Sequence, residues 1–197
     1  MNLKIYFYQN KLKILGAILL VVFGIFARFF RIHFFPELPN VEPITICTLL
    51  AGAFLGGGYA LFVPLVIIAI TDMTIGNTSI LYFTWSAWAI IGLFSLIVRK
   101  SNKKSFSFGF KMAGLGVCAS LFFYLWTNFG VWLISGMYPH TLSGLIWCYI
   151  IALPFLKLNL FGNLIIVSVG SFVLVITLRI YKSFKIYKFK YLKFIEN

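Results

Sequence analysis

The sequence predicts an all-α integral membrane protein with six transmembrane helices and both ends in the cytoplasm. Three observations lead to this fold class. The 197 residues are 61% hydrophobic and only 11% charged, whereas soluble domains carry about 25% charged residues. The apolar residues form long runs that end at charged or turn residues. The positive charges concentrate at the chain ends and in one connection, so the net charge of +13 reflects membrane insertion, and we expect no binding of nucleic acid.

The first span is predicted at 14–35, between Lys13 and Pro36. We expect this span to stay uncleaved, because Ile25 stands where a signal peptide needs a small residue before its cleavage site. Residues 36–43 contain three prolines, which remove backbone donors and fix φ, so this connection cannot be helical.

Residues 44–72 form two short apolar segments, 44–58 and 59–72, that meet at three consecutive glycines. Each segment gives about 22 Å of helix, which is shorter than the hydrocarbon core of about 30 Å. They are either two short helices or one broken span. The pattern Gly52-xxx-Gly56 favours a close approach between helices.

Three further spans are predicted at 79–98, 112–134 and 160–181. Residues 135–158 are interpreted as a lid in the membrane interface, because Pro154 and Lys157 end this segment too early for a span. Residues 1–181 then form one domain. Residues 182–197 form a basic cytoplasmic tail that is suited to lie on anionic head groups.

The distribution of cations decides between five and six spans. With six, both chain ends and the connection 99–111 share one side, and that side holds 14 of the 17 Lys and Arg residues. They are Lys4, Lys11, Lys13, Arg99, Lys100, Lys103, Lys104, Lys111, Arg179, Lys182, Lys185, Lys188, Lys190 and Lys193. With five spans this bias is lost, so the positive-inside rule favours six spans with cytoplasmic ends.

The opposite, outer side holds the candidate polar ligands. Arg31 either reaches the interface or pairs with Asp72, Glu42 or an anionic ligand group, because a charge inside the membrane is costly. Asp72 is equally suited to cap the turn that follows it. Asn128 needs partners, either on a neighbouring helix or on a ligand.

Aromatic side chains with polar tips also concentrate on the outer side. Trp132, Tyr138 and Tyr149, with Thr141 between them, suit a flat organic ligand. The same residues are equally typical of the aromatic belt at a membrane interface.

The sequence gives little support for catalysis. Ser135, Thr141 and Ser143 surround His140, but neither an HExxH nor a G-x-S-x-G pattern occurs. The chain has only four Asp and Glu residues, too few to form the acid clusters of intramembrane enzymes. We therefore expect no enzyme activity, no metal site and no cofactor.

A set of residues along the chain resembles an uncharacterised family of small bacterial membrane proteins, which is similar to the S components of energy-coupling-factor transporters. The set runs through Arg31, Pro39-Asn40, Pro43, Ala51-Gly52-Ala53, Val63-Pro64-Leu65, Asp72, Gly76, Asn128 to Trp132, Tyr138-Pro139, Thr141, Gly144-Leu145, Cys148-Tyr149, Ala152 and Pro154-Phe155. The resemblance covers roughly residues 28–170, and its specific part is the run from Asn128 to Phe155.

The resemblance implies six helices in the bacterial inner membrane and an outward-facing pocket closed by the connections after spans 1, 3 and 5. Asn40 lies in the first of these connections. S components capture vitamins or metal ions and deliver them to an energising membrane subunit with two ATPases. The Ala-xxx-Ala docking pattern on helix 1 is absent, since Val21 follows Ala17 at that spacing. The pattern of N-terminal His residues that accompanies nickel or cobalt uptake is also absent.

The function expected from these observations is substrate binding and uptake of a small organic solute such as a vitamin or a precursor. The expected site combines Arg31, Asn40, Asp72, Asn128, Trp132, Tyr138, Thr141 and Tyr149. The expected partners are the lipid bilayer, the solute and, as an open alternative, an energising subunit. A membrane scaffold that binds a protein through 135–158 is the second hypothesis, and an intramembrane enzyme that depends on His140 or Asp72 is the third.

Overall fold

The computed structural model describes residues 3–76 and 79–195, and the side chains of residues 10–76 and 79–184. Within these ranges the chain is helical and contains no strand. The helices are α1 (Leu3–Phe34), α2 (Ile44–Leu50), which continues as a π-helix (Ala51–Leu55), α3 (Tyr59–Ile75), α4 (Leu81–Phe94), which continues as a 3₁₀ helix (Ser95–Val98), α5 (Phe106–Ile134) and α6 (Leu142–Ile195). The predicted all-α class is confirmed.

Four helical stretches are long and apolar enough to cross a membrane: Asn10–Phe34, Leu81–Val98, Phe106–Ile134 and Leu142–Phe184. Their outward surfaces are strongly apolar, and Phe26, Leu125 and Phe161 are each more than half exposed. Such a surface suits lipid and not water.

The helix α2 lies in the interior of the bundle and contacts all the other helices. Every residue from Ile44 to Leu49 is buried, which is why a segment this short can be apolar on all sides. Residues 44–72 thus form two separate helices that pack against each other. Gly56 and Gly57, with φ of 68° and 52°, form the connection, since glycine alone adopts this conformation without a steric penalty.

The last helix differs from the prediction. The expected break at Pro154 and Lys157 is wrong, because α6 runs without interruption from Leu142 and contains Pro154. A proline costs a helix one hydrogen bond, but neighbouring helices can compensate for it in an apolar bundle. The connection between α5 and α6 is therefore limited to 135–141, and residues 142–158 extend the helix expected at 160–181.

Several helix ends differ from the predicted ones for local reasons. The helix α5 begins at Phe106 and not near 112, because the hydroxyl of Ser105 accepts a hydrogen bond from the backbone N–H of Ser107 and caps the helix. The helix α3 continues past Asp72 to Ile75 and ends at Gly76, whose φ is 82°. The helix α1 begins at Leu3, well before the predicted position 14. The side chains of most of the basic tail at 182–197 lie outside the described residues.

Close packing in the bundle depends on small residues. A Cβ atom at Gly92 would collide with the backbone carbonyl of Ala60, so α4 and α3 touch through their backbones. A Cβ atom at Gly52 would collide with the side chain of Ser95. The Gly52-xxx-Gly56 ridge therefore packs on the end of α4, where Gly56 lies against the side chain of Arg99.

At that same end of the bundle, Lys103 folds over the end of the 3₁₀ helix. Its Nζ atom donates to the backbone carbonyls of Val98, at 3.2 Å, and of Arg99. It also lies 5.8 Å and 5.6 Å from the ring centres of Phe54 and Phe108. Burial lowers the pKa of Lys103 below its ordinary value, and the charge of Arg99 lowers it further.

Candidate functional site

A cluster of four charged side chains lies among α1, α3 and the connection before α2. The Nη1 atom of Arg28 lies 3.0 Å from Oδ1 of Asp72 and also donates to the hydroxyl of Thr71. The indole N–H of Trp85 donates to Oδ2 of Asp72 at 3.0 Å. Arg28 and Asp72 are only 16% and 10% exposed, so this ion pair is sheltered from water, and its contacts connect the three helices α1, α3 and α4.

Glu42 joins the second arginine to this cluster. Its Oε2 atom lies 3.7 Å from Nε of Arg28, and its Oε1 atom lies 3.6 Å from Nη2 of Arg31. These distances exceed those of hydrogen bonds, so Glu42 interacts with both arginines mainly through charge. Two positive and two negative side chains lie together, and their formal charges cancel.

The cluster borders a cavity of about 270 Å³. Arg28 and Glu42 line one side, and residues of α4, α5 and α6 line the rest. The complete lining comprises Arg28, Asn40, Glu42, Ile80, Thr84, Phe123, Tyr124, Thr127, Asn128, Val131, Phe155, Leu156 and Asn159. A smaller cavity of about 110 Å³ adjoins it through the shared side chains of Arg28, Glu42, Thr84 and Phe123, and also reaches Asp72 and Trp88.

A chain of amide groups fixes the wall that α6 contributes. The Nδ2 atom of Asn159 donates to the backbone carbonyl of Asn40 at 2.8 Å. Asn163, one turn further along α6, donates to Oδ1 of Asn159 at 3.1 Å and to the hydroxyl of Ser120 at 2.8 Å. Asn159, Asn163 and Ser120 are almost completely buried. They tie α6 to α5 and to the connection 36–43.

The residues proposed from the sequence divide into two groups. Asn40 and Asn128 line the larger cavity, and Asp72 lines the smaller one. Arg31 supports the cluster through Glu42. The expected pairing of Arg31 with Glu42 is thus present, whereas Asp72 pairs with Arg28. Asp72 directs its carboxylate to this cluster, and the turn after α3 uses its backbone carbonyl, which accepts from the N–H of Gly76.

The other four residues lie around the end of α5 and the start of α6, and within the described chain none of them lines either cavity. The indole of Trp132 donates to the carbonyl of Pro139 at 3.0 Å and packs edge-on against His140. The hydroxyl of Thr141 caps α6 by accepting from the N–H of Gly144. Tyr149 donates to the carbonyl of Leu125 at 2.9 Å, and Tyr138 is half-buried.

The sequence reasoning gave too little weight to Arg28 and missed Thr84 and Asn159. Arg28 lies about one turn further inside the apolar run of α1 than Arg31, and this position was the available sign that it needs a buried partner. Asn159 and Asn163 are spaced by four residues in an apolar run, which places two amides on one helix face. No comparable sign marks Thr84.

The chemistry available at the site is recognition through hydrogen bonds and aromatic contact. Within the described residues, no group of three or more His, Cys, Asp and Glu side chains is placed to hold a metal ion. Both acids of the site already face arginines. Phe123, Tyr124 and Phe155 provide apolar wall beside the amides and hydroxyls.

Comparison with known proteins identifies the family but not an activity. Residues 9–184 match the family of unknown function DUF6580. The match covers most of the chain, which therefore belongs to this family. No curated protein and no solved structure matches the chain.

Proposed function

We propose that this member of the DUF6580 family is a membrane-embedded binding protein that takes up a small organic solute, such as a vitamin or a precursor. The observation that carries the proposal is the partly polar, half-open cavity of about 270 Å³ among α1, α4, α5 and α6 and the connection before α2. Buried charges are costly in an apolar bundle, and a charged cluster beside a cavity lined with amides and hydroxyls is typical of a binding site.

The proposal includes a topology of six membrane crossings with both chain ends in the cytoplasm of a bacterium. In this topology Arg28, Asp72 and Asn128 lie towards the outer face, and Arg99 and Lys103 lie at the inner face. The stretch Ile44–Leu55 gives about 18 Å of helix, less than the membrane thickness. Its central, buried position supports the proposal, because the surrounding helices and not lipid satisfy its ends.

The similarity to S components is part of the same proposal. The cavity is lined by Asn40 and Glu42 of the connection after α1 and by Ile80 of the connection after α3, and these are two of the three connections that the resemblance implies around an outward-facing pocket. The missing docking pattern on α1 favours a protein that works alone. Co-purification with a membrane subunit and ATPases, after extraction in a mild detergent, would instead identify an energising module.

The proposal is tested by extracting the full chain in mild detergent, releasing bound small molecules by heat, and quantifying them by mass spectrometry. We expect one solute in near-stoichiometric amount. Asn128→Ala should lower the retained amount about tenfold, because a buried polar contact contributes about 1–3 kcal/mol. Trp132→Ala, which alters an aromatic residue outside both cavities, is the matched control and should retain the solute.

Two results would contradict this assignment. Loss of the solute in Trp132→Ala but not in Asn128→Ala would move the site to the aromatic group at the end of α5. Absence of any solute from the wild-type protein and from both variants, together with no uptake in cells, would reject the function itself.

A non-transporting scaffold is the second candidate, and the surface of the first part of α6 favours it. Leu142, Trp147 and Ile151 are 73%, 58% and 55% exposed, which gives an apolar strip on which another membrane helix could pack. This alternative expects a protein to co-purify through 135–158, and no small molecule. The same mass-spectrometric experiment therefore separates the two candidates.

A further inference from the structure

The hydroxyl groups that line the larger cavity have one property in common: each donates its single hydrogen to a backbone carbonyl. This holds for Thr84 with Leu81 at 2.9 Å, Tyr124 with Tyr149 at 2.6 Å and Thr127 with Phe123 at 2.7 Å. The amides of Asn128 and Asn159 each donate one of their two N–H groups, to the carbonyls of Tyr124 and Asn40 at 2.8 Å.

The oxygens of these three hydroxyls, together with Oδ1 of Asn128, form an acceptor wall of the cavity. A hydroxyl has a single hydrogen, so Thr84, Tyr124 and Thr127 can only accept a hydrogen bond from a bound molecule. Asn128 uses one N–H of its Nδ2 group and keeps the other N–H and its carbonyl oxygen available. A molecule that brings N–H or O–H donors satisfies these oxygens, whereas a molecule with only acceptors leaves them unsatisfied.

The charged side of the cavity does not compensate for a net charge on the bound molecule. Arg28 and Arg31 face Glu42 and Asp72, so the positive charges are neutralised before anything binds. An anion would enter a sheltered site without a free counter-charge and would also face the acceptor wall, and both effects oppose its binding.

We infer that the solute is a small ring compound that carries no net negative charge and presents N–H or O–H donors to Thr84, Thr127 and Asn128. This inference rests on the proposed function and specifies its substrate class. The cavity of about 270 Å³ is slightly below the usual range of about 300–1,000 Å³ for ligand sites, so about one substituted ring would fill it. Phe123 and Phe155 supply the apolar contact for the ring face.

The first test measures binding to the full chain in lipid nanodiscs by calorimetry, with matched pairs of probes. Nicotinamide and nicotinate, and uracil and orotate, differ in whether the ring carries a carboxylate. We expect the neutral member of a pair to bind about tenfold or more tightly than its carboxylate, as discrimination by buried polar groups allows. Equal binding, or preference for the carboxylate, would overturn the inference and leave the proposed function intact.

A matched set of variants connects that preference to the acceptor wall. Thr127→Val keeps the shape of the side chain but removes its oxygen. It should weaken binding of the neutral probe about tenfold and change binding of the carboxylate little. Thr127→Ser should restore binding. Thr177→Val is the control, because Thr177 makes the same bond to the carbonyl four residues earlier but is exposed elsewhere on α6. Equal weakening of both probes by Thr127→Val would contradict the inference.

If none of these four probes binds, the molecule that heat releases from the purified protein decides the question. Its electrophoretic mobility at pH 7 gives its net charge, and its mass increase in D₂O counts its exchangeable hydrogens. A neutral or cationic solute with two or more exchangeable hydrogens supports the inference. An anion, or a solute without exchangeable hydrogens, overturns it, whereas release of no solute together with no uptake in cells overturns the proposed function.

Discussion

The Nδ2 atom of Asn159 donates a hydrogen bond to the backbone carbonyl of Asn40 at 2.8 Å, and this bond ties the connection 36–43 to the first third of α6. Asn40 has a φ of 67°, a conformation that asparagine tolerates better than most residues. The bond therefore holds this left-handed turn in place at the wall of the cavity. Both residues line that cavity, so the position of the connection and the shape of the site depend on each other.

We expect Asn159→Leu to destabilise the protein by about 1–3 kcal/mol, because it leaves the carbonyl of Asn40 without its donor and one N–H of Asn163 without its acceptor. Hydrogen exchange should increase in 36–43 more than in α1 or α3, since the loosened element is the connection. Ser183→Ala, on the exposed part of α6, is the control and should change neither quantity. Unchanged exchange in 36–43 would show that other contacts hold the connection.

The ion pair between Arg28 and Asp72 is expected to behave as a buried pair. Arg28→Met should lower the free energy of unfolding by about 3–5 kcal/mol, because it leaves the sheltered carboxylate of Asp72 without its main positive partner. The double variant Arg28→Met with Asp72→Asn should cost less than the sum of the two single changes. Lys157→Met removes an exposed cation and should change stability by less than about 0.5 kcal/mol. Unfolding in mixed detergent micelles gives the free-energy change for each single variant, the double variant and the control. Strict additivity of the two single changes would contradict the coupling between Arg28 and Asp72.

Two glycine positions give opposite predictions for the same substitution. Gly92→Ala places a methyl group against the backbone carbonyl of Ala60, which cannot move without shifting α3, so it should separate α3 from α4 and destabilise the bundle by about 1–3 kcal/mol. Gly114→Ala lies in α5 with open space around it and should stabilise the protein by about 0.5–1 kcal/mol. Thermal unfolding of both variants in one detergent tests the pair, and a stabilising Gly92→Ala would contradict the close approach.

Parts of this fold could be predicted from the sequence, and the limits have physical causes. Apolar runs and their charged ends predicted the long helices, because membrane length and helix rise restrict the possibilities. Pro154 misled the prediction of α6, since a proline signals a break only where no neighbouring helix compensates for it. The position of α2 at the centre of the bundle depends on contacts with every other helix, which no local pattern contains.

The candidate site was likewise predictable only in part from the sequence. Arg31, Asp72 and Asn128 were identifiable because polar side chains are rare in these apolar runs. The choice between Arg28 and Arg31 as the partner of Asp72 required the relative rotation of α1 and α3. The aromatic residues Trp132 and Tyr149 were as prominent in the sequence as any, but their polar atoms bond to nearby carbonyls of α5 and of the connection to α6.

Lys103 gives a prediction of pH dependence. Its pKa in the folded protein is lowered by burial and by Arg99, so the unfolded chain binds this proton more tightly. The contribution of Lys103 to stability is therefore complete above its unfolded pKa, near 10.5, and is lost as the pH falls through the lowered folded value. Wild-type protein should gain thermal stability relative to Lys103→Met as the pH rises towards 10.5. A constant difference between the two proteins across that range would contradict the shift.

The proposed topology makes a final prediction about which connections face the outside. Single cysteines at Glu37, Ser101 and Met137, in a background with Cys118→Ser, can be labelled in intact cells with a membrane-impermeant maleimide. The remaining cysteines, Cys47 and Cys148, are buried and should react little. We expect labelling at 37 and 137, and labelling at 101 only after the membrane is opened, because the basic connection between α4 and α5 follows the positive-inside rule. Labelling at 101 in intact cells would overturn the six-crossing topology, and with it the outward orientation of the cavity.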